Sequence, residues 1–379
     1  MVSHNGGYLL AETDRVTFSY FKQPCMKVRF LAVALLLMAG GNHLYAQAND
    51  TLTKIYSKFD FIPGEKVIFF DDFSGENIGD FPALWNTTGS GEIVQFGKYP
   101  GKWFKITNAR GINALAEPLT LPENYTIEFD IIPQKEGGNN LYRFVLFSTE
   151  KPKDLVFGLA RPGGTGIWFD FAYNSSYFAY YKDGTPPLSG RITEPKQQAD
   201  TKYHISIWVQ KERIRFYQDE VKLFDLAKGM SKAVKYNMIR FDGGVPLIGN
   251  VRIATGLPDM RNKLLTEGKL VSYGIYFDVN SDKLKPQSAG TLKEIAGILT
   301  DNAGLKIKIT GFTDSDGDDA SNLDLSKRRA AAVKAALTEA YGIDAARMET
   351  DGKGEKDPIA PNDNSVNKAL NRRVEFLKL

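Results

Sequence analysis

The chain has 379 residues, 42% of them hydrophobic and 25% charged, with a formal net charge of +3. That length suits two domains rather than one small one. The composition excludes a disordered chain, and the near-neutral charge gives no sign of a nucleic-acid partner. One cysteine and three histidines exclude a disulfide framework, a thiolate metal site and a histidine-rich metal cluster.

Residues 1–25, which end at Cys25, carry no clear periodicity and read as an upstream extension. Met26 then opens MKVRFLAVALLLMAGGNHLYAQA. Lys27 and Arg29 are basic, Phe30 to Ala39 form an apolar core of ten residues, and Ala46-Gln47-Ala48 is a small-residue cleavage site. Residues 26–48 are therefore expected to be a secretory signal peptide, with a core too short to span a membrane. Cys25 lies before that core, where a lipid-carrying cysteine would lie after it.

From residue 49 to 255 the pattern is all β. Runs such as KVIFFDDF (66–73), YTIEFDI (125–131), GIWFDFAY (166–173) and YHISIWV (203–209) recur between Gly, Pro, Asn and Asp turns. About a dozen such runs predict a two-sheet sandwich, and the lack of a fixed repeat argues against a propeller. Residues 256–270, GLPDMRNKLLTEGKL, lose the alternation and are expected to be a linker.

The last stretch, 271–379, reads strand, helix, strand, helix, strand, strand. Val271–Phe277 is the expected first strand. Pro286 suits the first turn of a helix. Leu305, Ile307 and Ile309 alternate with Lys306 and Lys308, as in a half-buried strand. A Gly/Asp/Ser turn follows with Asp314 at its mouth. A helix is predicted from about Asn322 to Tyr341, stopped by Gly342. At about 100° per residue, Arg329 falls near the middle of the stripe formed by Leu325, Ala332, Val333, Ala336, Leu337 and Ala340. A guanidinium there needs a carboxylate, from a ligand or from the protein. A structural Asp314–Arg329 ion pair would satisfy it equally well.

Four motifs in one order carry a family resemblance: FDVNSDKLKP (277–286), GFTDSDG (311–317), LSKRRA (325–330) and NRRVEF (371–376). Together they resemble the OmpA-like C-terminal domain, the peptidoglycan-binding module shared with Pal and MotB proteins. The resemblance implies an α+β βαβαββ fold and a non-enzymatic role. It implies a stem-peptide ligand gripped through its diaminopimelate side chain, which ends in an ammonium and a carboxylate. By resemblance, Asp314 takes the ammonium and Arg329 the carboxylate, while Asn280, Thr313, Asn322 and Arg372 match further pocket positions. Phe312 stands where the family usually has an aromatic or histidine, and Ser321 where it usually has a tyrosine.

In the N-terminal part, FDDFSG (70–75), FPALW (81–85) and the hairpin at 203–226 resemble the concanavalin-like, laminin-G-like jelly rolls. Such sandwiches often bind carbohydrate, and some hydrolyse it with an E-x-D-x-x-E strand. Here Glu128 and Asp130 begin that pattern, but Pro133 takes the third place. Glu128 and Asp130 are therefore expected on a solvent-facing strand edge, and His204 as a structural strand residue. Asp71 and Asp72 read as a charged turn rather than a calcium site. Trp168, Tyr173, Tyr177, Tyr180 and Tyr181 are weak candidates for stacking on sugars.

The combined expectation is a cofactor-free envelope protein of the gram-negative periplasm, associated with the outer membrane. Its C-terminal domain binds peptidoglycan, and its sandwich offers a glycan- or protein-binding surface. A wall-tethered glycoside hydrolase and an outer-membrane β-barrel with an OmpA-like tail are the alternatives.

Overall fold

Alternating apolar and polar residues between tight turns produce fifteen strands among the described residues before 256 in the computed structural model. That model describes residues 59–135, 142–149, 166–182, 185–256 and 259–379. The expected extension and signal peptide lie outside the described residues. The described residues all belong to one unit, Tyr56–Leu379.

The strands are β1 (Lys66–Asp71), β2 (Trp85–Thr87), β3 (Gly91–Phe96), β4 (Tyr99–Ile106), β5 (Ile112–Leu115), β6 (Asn124–Ile132), β7 (Tyr142–Phe147) and β8 (Gly166–Ala172). They continue with β9 (Ser175–Lys182), β10 (Thr185–Ile192), β11 (Tyr203–Gln210), β12 (Arg213–Gln218), β13 (Val221–Leu226), β14 (Met238–Asp242) and β15 (Leu247–Thr255). One sheet runs β13-β12-β11-β6-β15-β4-β3, with β1 also paired to β15; the other runs β10-β9-β8-β7-β14-β5-β2. Both inner faces are aromatic. Phe129 stacks on Phe144 at 5.2 Å, and Phe169 on Phe216 at 3.8 Å, across the gap between sheets. Each such side chain contributes about 1.5–3 kcal/mol on burial. Among the described residues these are two open sheets face to face, not one closed barrel. No described helix is long and apolar enough to cross a membrane.

Residues 259–270 of the expected linker are folded. Asp259 caps a short helix α1 (Met260–Asn262), accepting from the Asn262 N–H, and a π-helical turn continues over Lys263–Glu267. Met260 and Leu264, one helical turn apart, are buried in the second core together with Leu270. Gly268, at φ +77°, ends the turn, and β16 (Lys269–Ser272) follows at once. The first strand therefore precedes the expected 271–277. Phe277 makes only an isolated bridge to Leu284.

The rest of this domain comprises α2 (Ala289–Asp301), β17 (Ile307–Phe312), α3 (Asp319–Tyr341), β18 (Met348–Gly354), α4 (Ser365–Asn371) and β19 (Val374–Lys378). Sheet order is β16-β19-β17-β18, with only β17 and β18 parallel. Gly311 and Gly352 let α3 lie against this sheet. A Cβ on Gly311 would sit 2.3 Å from the Ser326 carbonyl oxygen, and one on Gly352 would sit 2.4 Å from Lys327 N. That close approach sets the first half of α3 beside the C-terminal end of β17, where Asp314 lies.

The two domains are in direct contact. Residues 59–64 thread between them. Phe61 packs on Trp208 and Tyr217, which project from the outer face of the sandwich sheet. On the other side, a Cβ on Gly290 would lie 2.2 Å from the Phe61 carbonyl oxygen. The polar face of β6 is buried here as well. Glu128 is 2% and Asp130 3% exposed, and β6 is central, between β11 and β15. This corrects the expected solvent-facing edge. The period-2 pattern is real, but the charged face is covered by the second domain.

The sandwich aromatics differ from the expectation in the same way. Trp168, Tyr180 and Tyr181 are buried and Tyr173 and Tyr177 half-buried. Trp168 already carries the Arg143 guanidinium at 4.3 Å and the Tyr181 ring at 4.0 Å. Asp71 is also buried, accepting from Trp85 Nε1 and Phe73 N at 2.9 Å each. Among the described residues no group of three or more His, Cys, Asp or Glu is placed to hold a metal ion.

Candidate functional site

The site forms where β17 ends, α3 begins and the turn before β19 arrives. Asp318 caps α3, accepting from Ser321 N, as a short polar residue at a helix start does. Asp314, 7% exposed, accepts from Asp316 N at 3.2 Å through Oδ1. Its Oδ2 accepts from Arg372 Nη1 at 2.5 Å. The alternative of a structural Asp314–Arg329 ion pair is not found among the described residues; Arg372 pairs with Asp314 instead.

Arg329 lies on the shoulder of α3 rather than in the middle of its buried stripe. The buried face is Asn322, Ser326, Ala330, Val333 and Leu337. The guanidinium rests 4.9 Å from the centre of the Phe277 ring. Its Nε donates to the Ser281 carbonyl at 2.9 Å, and Nη2 reaches the Asp278 carbonyl at 3.5 Å. Neither partner is charged. Burial lowers its pKa to about 10; Asp314 opposes that shift, and Arg372 and Arg328 add to it. The group stays cationic at neutral pH.

Asn322 closes the floor. Its Nδ2 donates to Glu355 Oε2 at 2.8 Å and to the Asp316 carbonyl at 3.1 Å, with a longer contact to the Asp314 carbonyl. Thr313 is buried, and its Oγ1 has no hydrogen-bond partner among the described residues. Asn280 sits at φ +53° in the turn that also supplies Ser281, a conformation Asn tolerates. Its side chain is exposed and makes no described hydrogen bond to the other five. The structure thus brings Asp314, Thr313, Asn322 and Arg372 together, sets Arg329 beside them, and leaves Asn280 exposed in the turn before Ser281. Of those two positions, Phe312 is buried under the Arg373 guanidinium at 3.6 Å, and Ser321 is exposed on the first turn of α3.

Two contributors were missed in the sequence. Glu355 sits just past β18 and had no local motif. Asp72 approaches Arg372 from the sandwich, with Oδ2 3.6 Å from Nη2, across a separation no local pattern reports.

Beside the site, the interface holds a second polar cluster. Tyr276 donates to Glu128 Oε2 at 2.7 Å. Arg252 Nη1 donates to Glu128 Oε1 at 2.8 Å, and its Nη2 to the Gly64 carbonyl at 2.7 Å. His204 Nδ1 lies 2.7 Å from Asp130 Oδ1. Burial disfavours charge on His204, but its hydrogen bond to Asp130 and the Glu128 carboxylate 3.5 Å from Nε2 outweigh that and raise its pKa to about 9. Both carboxylates are held below their ordinary range by these partners despite burial. They are committed to the interface rather than placed to attack a glycan.

Residues 276–372 match the OmpA family model. The chain is 42% identical over 102 residues to the probable lipoprotein YiaD of Escherichia coli, covering 27% of this chain and 46% of that protein. It is 37% identical over 105 residues to outer membrane porin F of Pseudomonas aeruginosa, covering 28% and 30%. Among solved structures, the peptidoglycan-associated lipoprotein from Burkholderia pseudomallei is similar at 32% identity, over 28% of this chain and 88% of that one, with a TM-score of 0.26. The chain spans less than half the length of these two curated relatives.

Proposed function

From a chain whose residues 276–372 form an OmpA-family domain, we propose a non-enzymatic cell-envelope protein that binds peptidoglycan non-covalently through that domain. The observation that carries this reading is Arg329. It is a largely buried cation whose described hydrogen bonds go only to backbone carbonyls, and it lies beside the acidic end of the site at Asp314. A ligand carboxylate is the partner such a guanidinium lacks. A ligand ammonium is what Asp314 can receive beside Arg372.

The side chain of diaminopimelate in a stem peptide carries those two groups at a fixed separation. In this reading Arg329 holds its carboxylate and Asp314 its ammonium, with Thr313, Asn322 and Arg372 lining the pocket and Asn280 at its rim. The names of the relatives, a peptidoglycan-associated lipoprotein among them, agree with this. The sandwich is read as a concanavalin-like jelly roll that presents a glycan or protein surface. The periplasmic side of a gram-negative outer membrane is the proposed location.

The test is co-sedimentation of the full chain with purified sacculi, using wild type, Asp314→Asn and Arg329→Ala, with melting curves in parallel. Each charge-assisted contact contributes roughly 1.5–3 kcal/mol, so either variant should bind on the order of tenfold more weakly. Folded variants that sediment as well as wild type would contradict the assignment.

A further inference from the structure

Arg372 is held by two domains. Its Nη1 donates to Asp314 in the C-terminal domain at 2.5 Å, and its Nη2 lies 3.6 Å from Asp72 Oδ2 in the sandwich. Below it lies the ring of Phe70, 5.3 Å from the guanidinium carbon. The end of β1 is fixed there by Ser365 of α4, whose hydroxyl donates to the Phe70 carbonyl at 3.2 Å. Asp72 is itself oriented, since its Oδ1 accepts from Ser74 N at 3.1 Å. The sandwich thus places a carboxylate against the same cation that Asp314 uses.

The charges explain what that carboxylate does. An Asp314 paired one-to-one with Arg372 would be a neutralised acid and a poor receptor for an ammonium. With Asp72 as a second anion on the shared cation, Asp72, Arg372 and Asp314 sum to one negative charge. Lys368, nearby, is occupied by Asp316 at 2.7 Å. Arg329, at the other end of the site, supplies one positive charge. The pocket is then acidic at one end and basic at the other, the complement of a zwitterionic side chain.

We propose that Asp72 of the sandwich is a specificity-determining residue of the peptidoglycan site, sharing Arg372 with Asp314 so that Asp314 keeps its charge for the ligand's ammonium. This rests on the function proposed above. It also makes the sandwich part of the binding site.

The test is calorimetric titration of the full chain with a diaminopimelate-containing stem peptide, and with the same peptide acetylated on the side-chain amine. Wild type, Asp72→Asn and Asp314→Asn are compared. Asn at position 72 keeps the oxygen that accepts from Ser74, so the turn is preserved. Asp72→Asn should weaken binding of the free-amine peptide roughly two- to fivefold, the scale of a partly exposed ion pair. It should leave affinity for the acetylated peptide unchanged. An equal loss for both peptides would make Asp72 a brace only and overturn the proposal. Wild-type affinity in Asp72→Asn, with binding lost in Asp314→Asn, would overturn it while leaving the functional reading standing. Failure of the wild type to bind either peptide would remove the functional reading and this inference together.

Discussion

Tyr276 of the C-terminal domain donates its hydroxyl proton to Glu128 of the sandwich at 2.7 Å. Tyr276 immediately precedes Phe277 and the turn whose Asp278 and Ser281 carbonyls receive Arg329. One hydrogen bond therefore joins the sandwich to the root of the loop whose carbonyls receive Arg329.

Removing that hydroxyl should cost stability without stranding a charge, because Glu128 keeps Arg252. A hydrogen bond to a charged group contributes roughly 1.5–3 kcal/mol. Tyr276→Phe is expected to destabilise the protein by that order, seen as a lower urea midpoint. An unchanged midpoint would mean that this hydrogen bond contributes nothing net to the interface.

His204 makes the same interface pH-sensitive. It faces Glu128 and Asp130 on β6 and the Tyr276 ring at 6.2 Å. Asp219 beyond β12 accepts from its backbone N–H. Lys202 and Lys285 act on the same Asp130. The folded-state pKa of His204 is raised to about 9, against about 6.5 unfolded. A raised histidine stabilises fully below the unfolded value, and that contribution is lost as pH rises through the folded one. The melting temperature should therefore fall between about pH 6.5 and 9. His204→Gln should remove this fall, and an identical pH profile in that variant would contradict the assignment.

Gly311 tests the packing that builds the site. A Cβ there meets the Ser326 carbonyl oxygen at 2.3 Å, and neither backbone can yield without separating α3 from β17. Gly311→Ala should destabilise by about 1–3 kcal/mol. It should also weaken ligand binding more than Gly297→Ala, whose new Cβ meets nothing within 4 Å. Equal behaviour of the two variants would show that the close approach is not needed.

Local signals carried much of this structure. The alternation of Leu305, Ile307 and Ile309 announced β17, and Gly342, at φ +71°, ends α3 where expected. Asp314 and Arg372 were legible from their motifs, although their pairing with each other was not. Arg329 was set too deep, because a stripe drawn through Leu325, Ala332 and Ala336 misses the small polar residues Asn322 and Ser326 on the face that packs closest. Glu128 and Asp130 were misread for a different reason. A strand with one charged face looks solvent-facing until another domain covers it, and that covering is set by residues more than a hundred positions away. The helix at 260–267 escaped because Met260, Leu264 and Leu265 give only three apolar positions in a polar stretch.

The central claim is that Arg329 and Asp314 read the two charges at the end of a diaminopimelate side chain. Titrating the full chain with two stem peptides, identical except for diaminopimelate or lysine at the third residue, tests it most directly. Lysine keeps the ammonium and lacks the carboxylate. The account predicts that the diaminopimelate peptide binds on the order of tenfold more tightly, as one charge-assisted contact implies, and that Arg329→Ala abolishes the difference. Equal affinity of the wild type for the two peptides would contradict it.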